Sequence, residues 1–120
     1  MTAAKSTVSI HPYFKIGEGK LEAVKAHLPE MTAQTSSEPA CLYYDFFING
    51  DVLTCREAYV GAAGVLAHLE NIGEKLGQLL EMAEMYRLEL QGPASELDQL
   101  REPLAEMNVE WFVFECGVEK

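Results

Sequence analysis

Glu57, Tyr59 and His68 are the residues whose types and spacing could carry chemistry. Glu57 and Tyr59 stand two apart in a β-rich run, so both point to one face of a strand. A carboxylate and a phenol in an apolar cavity can accept a proton from a phenolic substrate and hydrogen-bond to it. Desolvation there would raise the carboxylate's pKa towards a useful value. Glu57 could instead pair with a helix residue or reach solvent at the sheet edge. His68 sits roughly 90° from the middle of an apolar helical stripe, a border that would place its imidazole at a pocket mouth. Its ordinary pKa of about 6.5 suits proton transfer near neutrality. The same border position suits a histidine that caps the edge of a helix–sheet interface. Glu57 and His68 are therefore the catalytic candidates. Tyr44, Cys55, Tyr59 and Val65 are the candidate substrate-binding residues. The cross-strand partner expected for Cys55 is Tyr44, not a cation that would stabilise a thiolate, so it reads as a buried thiol facing the cavity.

Other chemistries find little support. His11 precedes Pro12 on a strand, and His27 lies opposite part of the Leu21/Val24/Leu28 stripe, where solvent is expected. Three histidines on separate elements do not make a metal set, and no metal is expected. Cys41, Cys55 and Cys116 are odd in number and widely spaced, which argues against a disulfide framework or zinc knuckle. There is no Gly-x-Gly-x-x-Gly after a strand and no Gly-Lys-Ser/Thr, so no nucleotide cofactor is expected.

These residues must be held by a chain of 120 residues and 13.3 kDa, a length that suits one domain spanning 1–120. Nine Lys and Arg against nineteen Asp and Glu give a net charge of −10. That charge repels nucleic acid and anionic membranes alike. The N-terminal residues lack an apolar signal core and no stretch approaches the roughly 20 residues of a membrane span, so a cytoplasmic protein is expected.

Val8 to Ile16 reads as a strand that Pro12 restricts to an edge, a bulge or a strand end. Lys20 onward is helical, with Pro29 kinking the helix or ending it near His27. Asn49-Gly50 between two β-rich runs predicts a two-residue hairpin turn. That turn would set Tyr44 opposite Cys55 and place Leu42, Tyr44, Phe46, Leu53, Cys55, Glu57 and Tyr59 on one face. A second helix is expected over Gly61 to Ile72, ended by Gly73, with a short third helix over Glu74 to Ala83. Met85 to Gln91 is a strand. Ser95 can cap a further helix, and Val109 to Val118 is a final strand.

The order predicts an α+β, ferredoxin-like βαββαβ core at about 8–90, with an antiparallel sheet and a C-terminal α–β extension at 93–118. Helices would cover one face only. Tyr43, Phe47 and Val52 on the other would be exposed in a monomer, so a homodimer joined sheet to sheet is expected.

At the hairpin and second helix the sequence resembles the antibiotic biosynthesis monooxygenase (ABM) type of domain. The resemblance lies in Glu38-Pro39-Ala40-Cys41-Leu42-Tyr43-Tyr44-Asp45, Cys55-Arg56-Glu57-Ala58-Tyr59 and Ala67-His68-Leu69. It implies a dimeric α/β barrel with a small cavity between sheet and helices. Some members oxidise phenols or quinols with dioxygen and no metal or flavin, and others degrade haem. Quinol-oxidising relatives place an Asn and a Trp on the third strand, where this chain has Cys55 and Tyr59. Haem-degrading relatives use an Asn on the first strand and a Trp on the second helix, where it has the neighbourhood of Pro12 and His68. The resemblance thus implies a cofactor-independent monooxygenase acting on a small aromatic or quinol-type compound. The alternative is a non-catalytic homodimeric module that binds a small ligand or another protein.

Overall fold

The computed structural model describes residues 6–120. Its elements are β1 (Thr7–Ile16), α1 (Leu21–Thr35), β2 (Cys41–Asn49), β3 (Val52–Val60), α2 (Gly61–Leu80), β4 (Ala83–Gly92), the short α3 (Ala94–Asp98), a 3-10 turn (Ala105–Met107) and β5 (Glu110–Val113). The five-stranded sheet runs β2-β3-β1-β4-β5. Its first four strands pair antiparallel, which is the ferredoxin-like plan. β5 adds to β4 in parallel, with Leu90 opposite Trp111.

β1 is interior, although it carries Pro12. Its alternate residues Val8, Ile10, Pro12, Phe14 and Ile16 are buried. The proline is tolerated because the ladder is irregular there. The pairing with β4 slips between Tyr13 and Phe14, and the Thr54 hydroxyl donates to the Pro12 carbonyl at 2.8 Å. Of the positions the proline allowed, the irregularity is the one the chain uses.

The hairpin turns one residue later than its Asn-Gly dipeptide predicts. Asn49 pairs with Val52, and Gly50-Asp51 form the turn. Gly50 has φ 62°, as a two-residue turn with glycine at its first central position requires. Lys15 holds Asp51 by an ion pair of 2.8 Å. Tyr44 is therefore opposite Glu57, and Phe46 opposite Cys55. The faces survive this shift except near Cys41. An irregularity between Cys41 and Tyr43 sets Cys41 opposite Tyr59 and leaves Leu42 exposed.

Both main helices are longer than their punctuation suggests. α1 passes through Pro29, which lies on the exposed side. Water can take up the carbonyl that the missing N–H leaves free. Burial of Met31 and Thr35 and a Gln34–Asn71 hydrogen bond hold the last turns. α2 runs unbroken through Gly73 and Gly77, which face open space. Ile72 and Leu79 carry its buried stripe onward from Val65, so packing outweighs the glycines. His27 is buried rather than solvated, because its Nε2 meets the Lys75 carbonyl of α2 at 2.7 Å.

The C-terminal segment also departs from expectation. α3 starts at Ala94 without a Ser95 side-chain cap. Glu96 instead accepts a hydrogen bond from the Ala62 N–H at 2.8 Å, tying the segment to the start of α2. β5 ends at Val113, and residues 114–120 are exposed.

Two apolar clusters form the core. One gathers Ile10, Tyr59, Val65, Leu90, Leu97 and Leu104 among others. The second gathers Phe14, Val24, Met31, Leu53 and Ile72. The opposite sheet face is open, and Tyr43, Phe47, Tyr86 and Phe112 are exposed. Arg56 there lies over the rings of Tyr43 and Phe47, at 5.6 and 5.4 Å from their centroids.

Candidate active site

One row of side chains crosses the inner sheet face: Tyr44, Glu57, Ile10, Leu90 and Trp111, each paired with the next. Glu57 thus sits inside the sheet with apolar neighbours, not at its edge. α2 lays His68 over this row, and the imidazole packs at a tilt against two rings. Its centroid is 4.7 Å from that of Tyr59 and 5.2 Å from that of Tyr44.

Five polar side chains meet here. The Tyr59 hydroxyl donates to Glu57 Oε1 at 2.6 Å. His68 Nε2 lies 3.4 Å from the same oxygen. On its other side, His68 Nδ1 lies 3.1 and 3.0 Å from the two oxygens of Glu38. Glu38 comes from the loop between α1 and β2, and Asn71 of α2 donates to its Oε2 at 2.8 Å. A carboxylate accepts, so Nδ1 carries the proton and Nε2 offers its lone pair towards Glu57.

Burial sets the charges. It pushes the Glu57 carboxyl up to about 7, against the opposing hydrogen bonds from Tyr59 and Cys55. Burial also lowers the His68 pKa, although Glu38 pulls it up. Near neutrality the pair is thus a neutral imidazole beside a carboxyl that gains or loses its proton readily. The Cys55 thiol and the Tyr44 and Tyr59 phenols are all pushed upward by burial and stay protonated.

A cavity opens beside this group. It is a tight slot of about 40 Å³. Tyr44, Cys55, Glu57 and His68 line its polar end. The rest is apolar and includes Ile10, Phe14 and Leu88 of the sheet and Leu69, Ile72 and Leu76 of α2. Tyr59 lies behind Glu57, fully buried, and does not line the slot. Val65 packs into the first core cluster and does not line it either. Glu38 and Asn71 were missed by sequence reasoning. Glu38 stands in a loop without periodicity, and only its position in the Glu38-Pro39 motif singled it out. Among the described residues, no group of three or more His, Cys, Asp or Glu is placed to hold a metal ion.

The chain is similar along nearly all its length to the crystal structure of MupZ from Pseudomonas fluorescens. Identity is 44%, the TM-score is 0.92, and the match covers 95% of this chain and 94% of that one. A conserved protein of unknown function from Bacteroides thetaiotaomicron, described as a possible oxidoreductase, is 27% identical with a TM-score of 0.65. That match covers 72% of this chain and 97% of that one. A putative antibiotic biosynthesis monooxygenase from Chloroflexus aurantiacus shares the fold at 18% identity and a TM-score of 0.62, over 74% of this chain and 94% of its own. These two shorter proteins leave more than a quarter of this chain unmatched. No protein-family model matches the chain, and no curated protein does.

Proposed function

The chain belongs to the family of MupZ from Pseudomonas fluorescens and has an ABM-like fold, and on that premise we propose an acid–base enzyme acting on a small, uncharged, mainly apolar compound. The observation that carries this reading is the pairing of Glu57 with His68. A wholly buried carboxyl with a pKa pushed up to about 7 faces an unprotonated imidazole nitrogen 3.4 Å away, at the end of an apolar slot. Such a pair can take a proton at one atom of a substrate and return one at another. Among the described residues no Lys or Arg lines the slot, and Glu57 stands at its polar end with Glu38 behind His68, so an anionic reacting group is disfavoured.

With a phenol or quinol, proton removal by this pair gives an electron-rich anion that can reduce dioxygen. A phenol and dioxygen then yield a quinone and water, one oxygen entering the ring. Water exclusion by the slot favours this course. The second reading is a ligand-binding module. It is favoured by the way Glu38, His68, Glu57 and Tyr59 already satisfy one another's hydrogen bonds.

The exposed Tyr43, Phe47, Tyr86 and Phe112 support a homodimer packed sheet to sheet. Three free cysteines support a reducing, cytoplasmic setting. No helix among the described residues is long and apolar enough to cross a membrane.

Oxygen uptake with a panel of hydroquinones and alkylphenols tests the enzyme reading. Turnover that falls by about a hundredfold or more in Glu57→Gln or His68→Ala supports it. Undiminished turnover in the double variant removes both residues from the mechanism. Saturable binding without turnover selects the binding module.

A further inference from the structure

The wall of the slot away from β2 is not part of the βαββαβ core. The segment between β4 and β5 lays Leu97, Leu100 and Leu104 against the cluster that holds Leu88 and Leu90, and all three leucines are buried. Arg101 of the same segment lies over the Trp111 ring, 4.9 Å from its centroid. Leu104 and Met107 both line the slot. Leu104 is fixed by this packing. Met107 ends the 3-10 turn, immediately before the left-handed Asn108 with φ 51°, and is only half-buried. Leu69, Leu76 and Met85, which also line the slot, are half-buried like it.

The sheet register supplies a scale. Glu57 pairs with Ile10 and Ile10 with Leu90, so Glu57 and Leu90 stand two strand spacings apart, about 10 Å. The polar lining is confined to Tyr44, Cys55, Glu57 and His68. A molecule whose hydroxyl meets Glu57 and His68 has apolar lining on two sides, across β1 and β4 towards Leu104 and Met107 and along β1 towards Phe14, Met31 and Leu79. A narrow slot favours an unbranched part over a bulky one.

We propose that Met107, backed by Leu104, is a specificity-determining residue that sets the length of the unbranched alkyl tail this slot accepts. The inference rests on the reading that the reacting group sits at Glu57 and His68. Methionine suits the role because an unbranched thioether side chain can yield to a tail of nearly the right length. The segment that carries it lies outside the βαββαβ plan.

Calorimetric titration with para-cresol, para-propylphenol, para-hexylphenol and para-octylphenol tests this on wild type, Met107→Ala and Met107→Phe. In the wild type, affinity rises by about fourfold per methylene until the tail meets the wall, then stops rising. Met107→Ala moves that limit to a longer tail and Met107→Phe to a shorter one, while para-cresol binds all three alike. An identical limit in three proteins of equal thermal stability overturns the inference and leaves the acid–base reading standing. Binding of no alkylphenol by any of them overturns both. Loss of alkylphenol turnover in Glu57→Gln with the limit unmoved bears on the acid–base reading alone.

Discussion

His68 Nδ1 lies 3.0 Å from Glu38 Oε2, and this contact decides which imidazole nitrogen faces Glu57. Glu38 also pulls the His68 pKa upward against burial. In Glu38→Gln the oxygen that accepts from Nδ1 can be kept while the charge is lost. His68 should then titrate at a lower pH than in the wild type, read from its ring nitrogen NMR shifts. An unchanged or raised titration would remove Glu38 from its positioning role.

Glu57 and His68 make opposed contributions to stability against pH. The folded pKa of Glu57 rises from 4.5 to about 7, so its contribution is full below 4.5 and lost as pH climbs to about 7. The folded pKa of His68 falls below 6.5, so its contribution is full above 6.5 and lost as pH drops. Below pH 6.5 the two slopes oppose one another. Glu57→Gln should therefore become more stable as pH rises from about 5 to about 6.5. His68→Asn should become less stable, each by up to about 1.4 kcal/mol per pH unit. Urea denaturation at both pH values reads this, and slopes of the same sign would refute the pairing.

Tyr59 holds Glu57 from behind through a 2.6 Å hydrogen bond that lowers its pKa. Tyr59→Phe should raise the Glu57 pKa further and lower stability by about 1–2 kcal/mol. The carboxyl carbon shift of Glu57 and a melting curve measure the two effects. A Glu57 titration at the wild-type pH would show that the hydroxyl does not control it.

Phe47 stands on the open sheet face with Tyr43 and Arg56. The wild type should scatter light as a dimer at micromolar concentration. Phe47→Asp should give a monomer with unchanged far-ultraviolet dichroism, because the dimer would strip the carboxylate of its water. A monomeric wild type would sink the sheet-to-sheet arrangement.

The element order was legible because strand and helix periodicities are local. Val8 to Ile16 alternates every second residue, and Val65, Leu69 and Ile72 recur at helical spacing. Where the reading failed, a distant contact outweighed a local signal. Pro29 read as a kink or a stop and Gly73 as a stop, but both face outward on helices that continue, held by packing on their other sides. His27 read as solvated because its partner, the Lys75 carbonyl, is 48 residues away in sequence.

The sequence by itself determined that Glu57, Cys55, Tyr44 and His68 would face one space, because alternation and helical phase assign faces without knowing a neighbour. Only the tertiary structure decided what those faces meet. A one-residue shift of the turn put Tyr44 opposite Glu57 rather than opposite Cys55. The continuation of α1 past Pro29 delivered the following loop, and with it Glu38, to His68. The C-terminal segment brought Leu104 and Met107 to the far wall. Each depends on chain closure between residues far apart, which no local periodicity encodes.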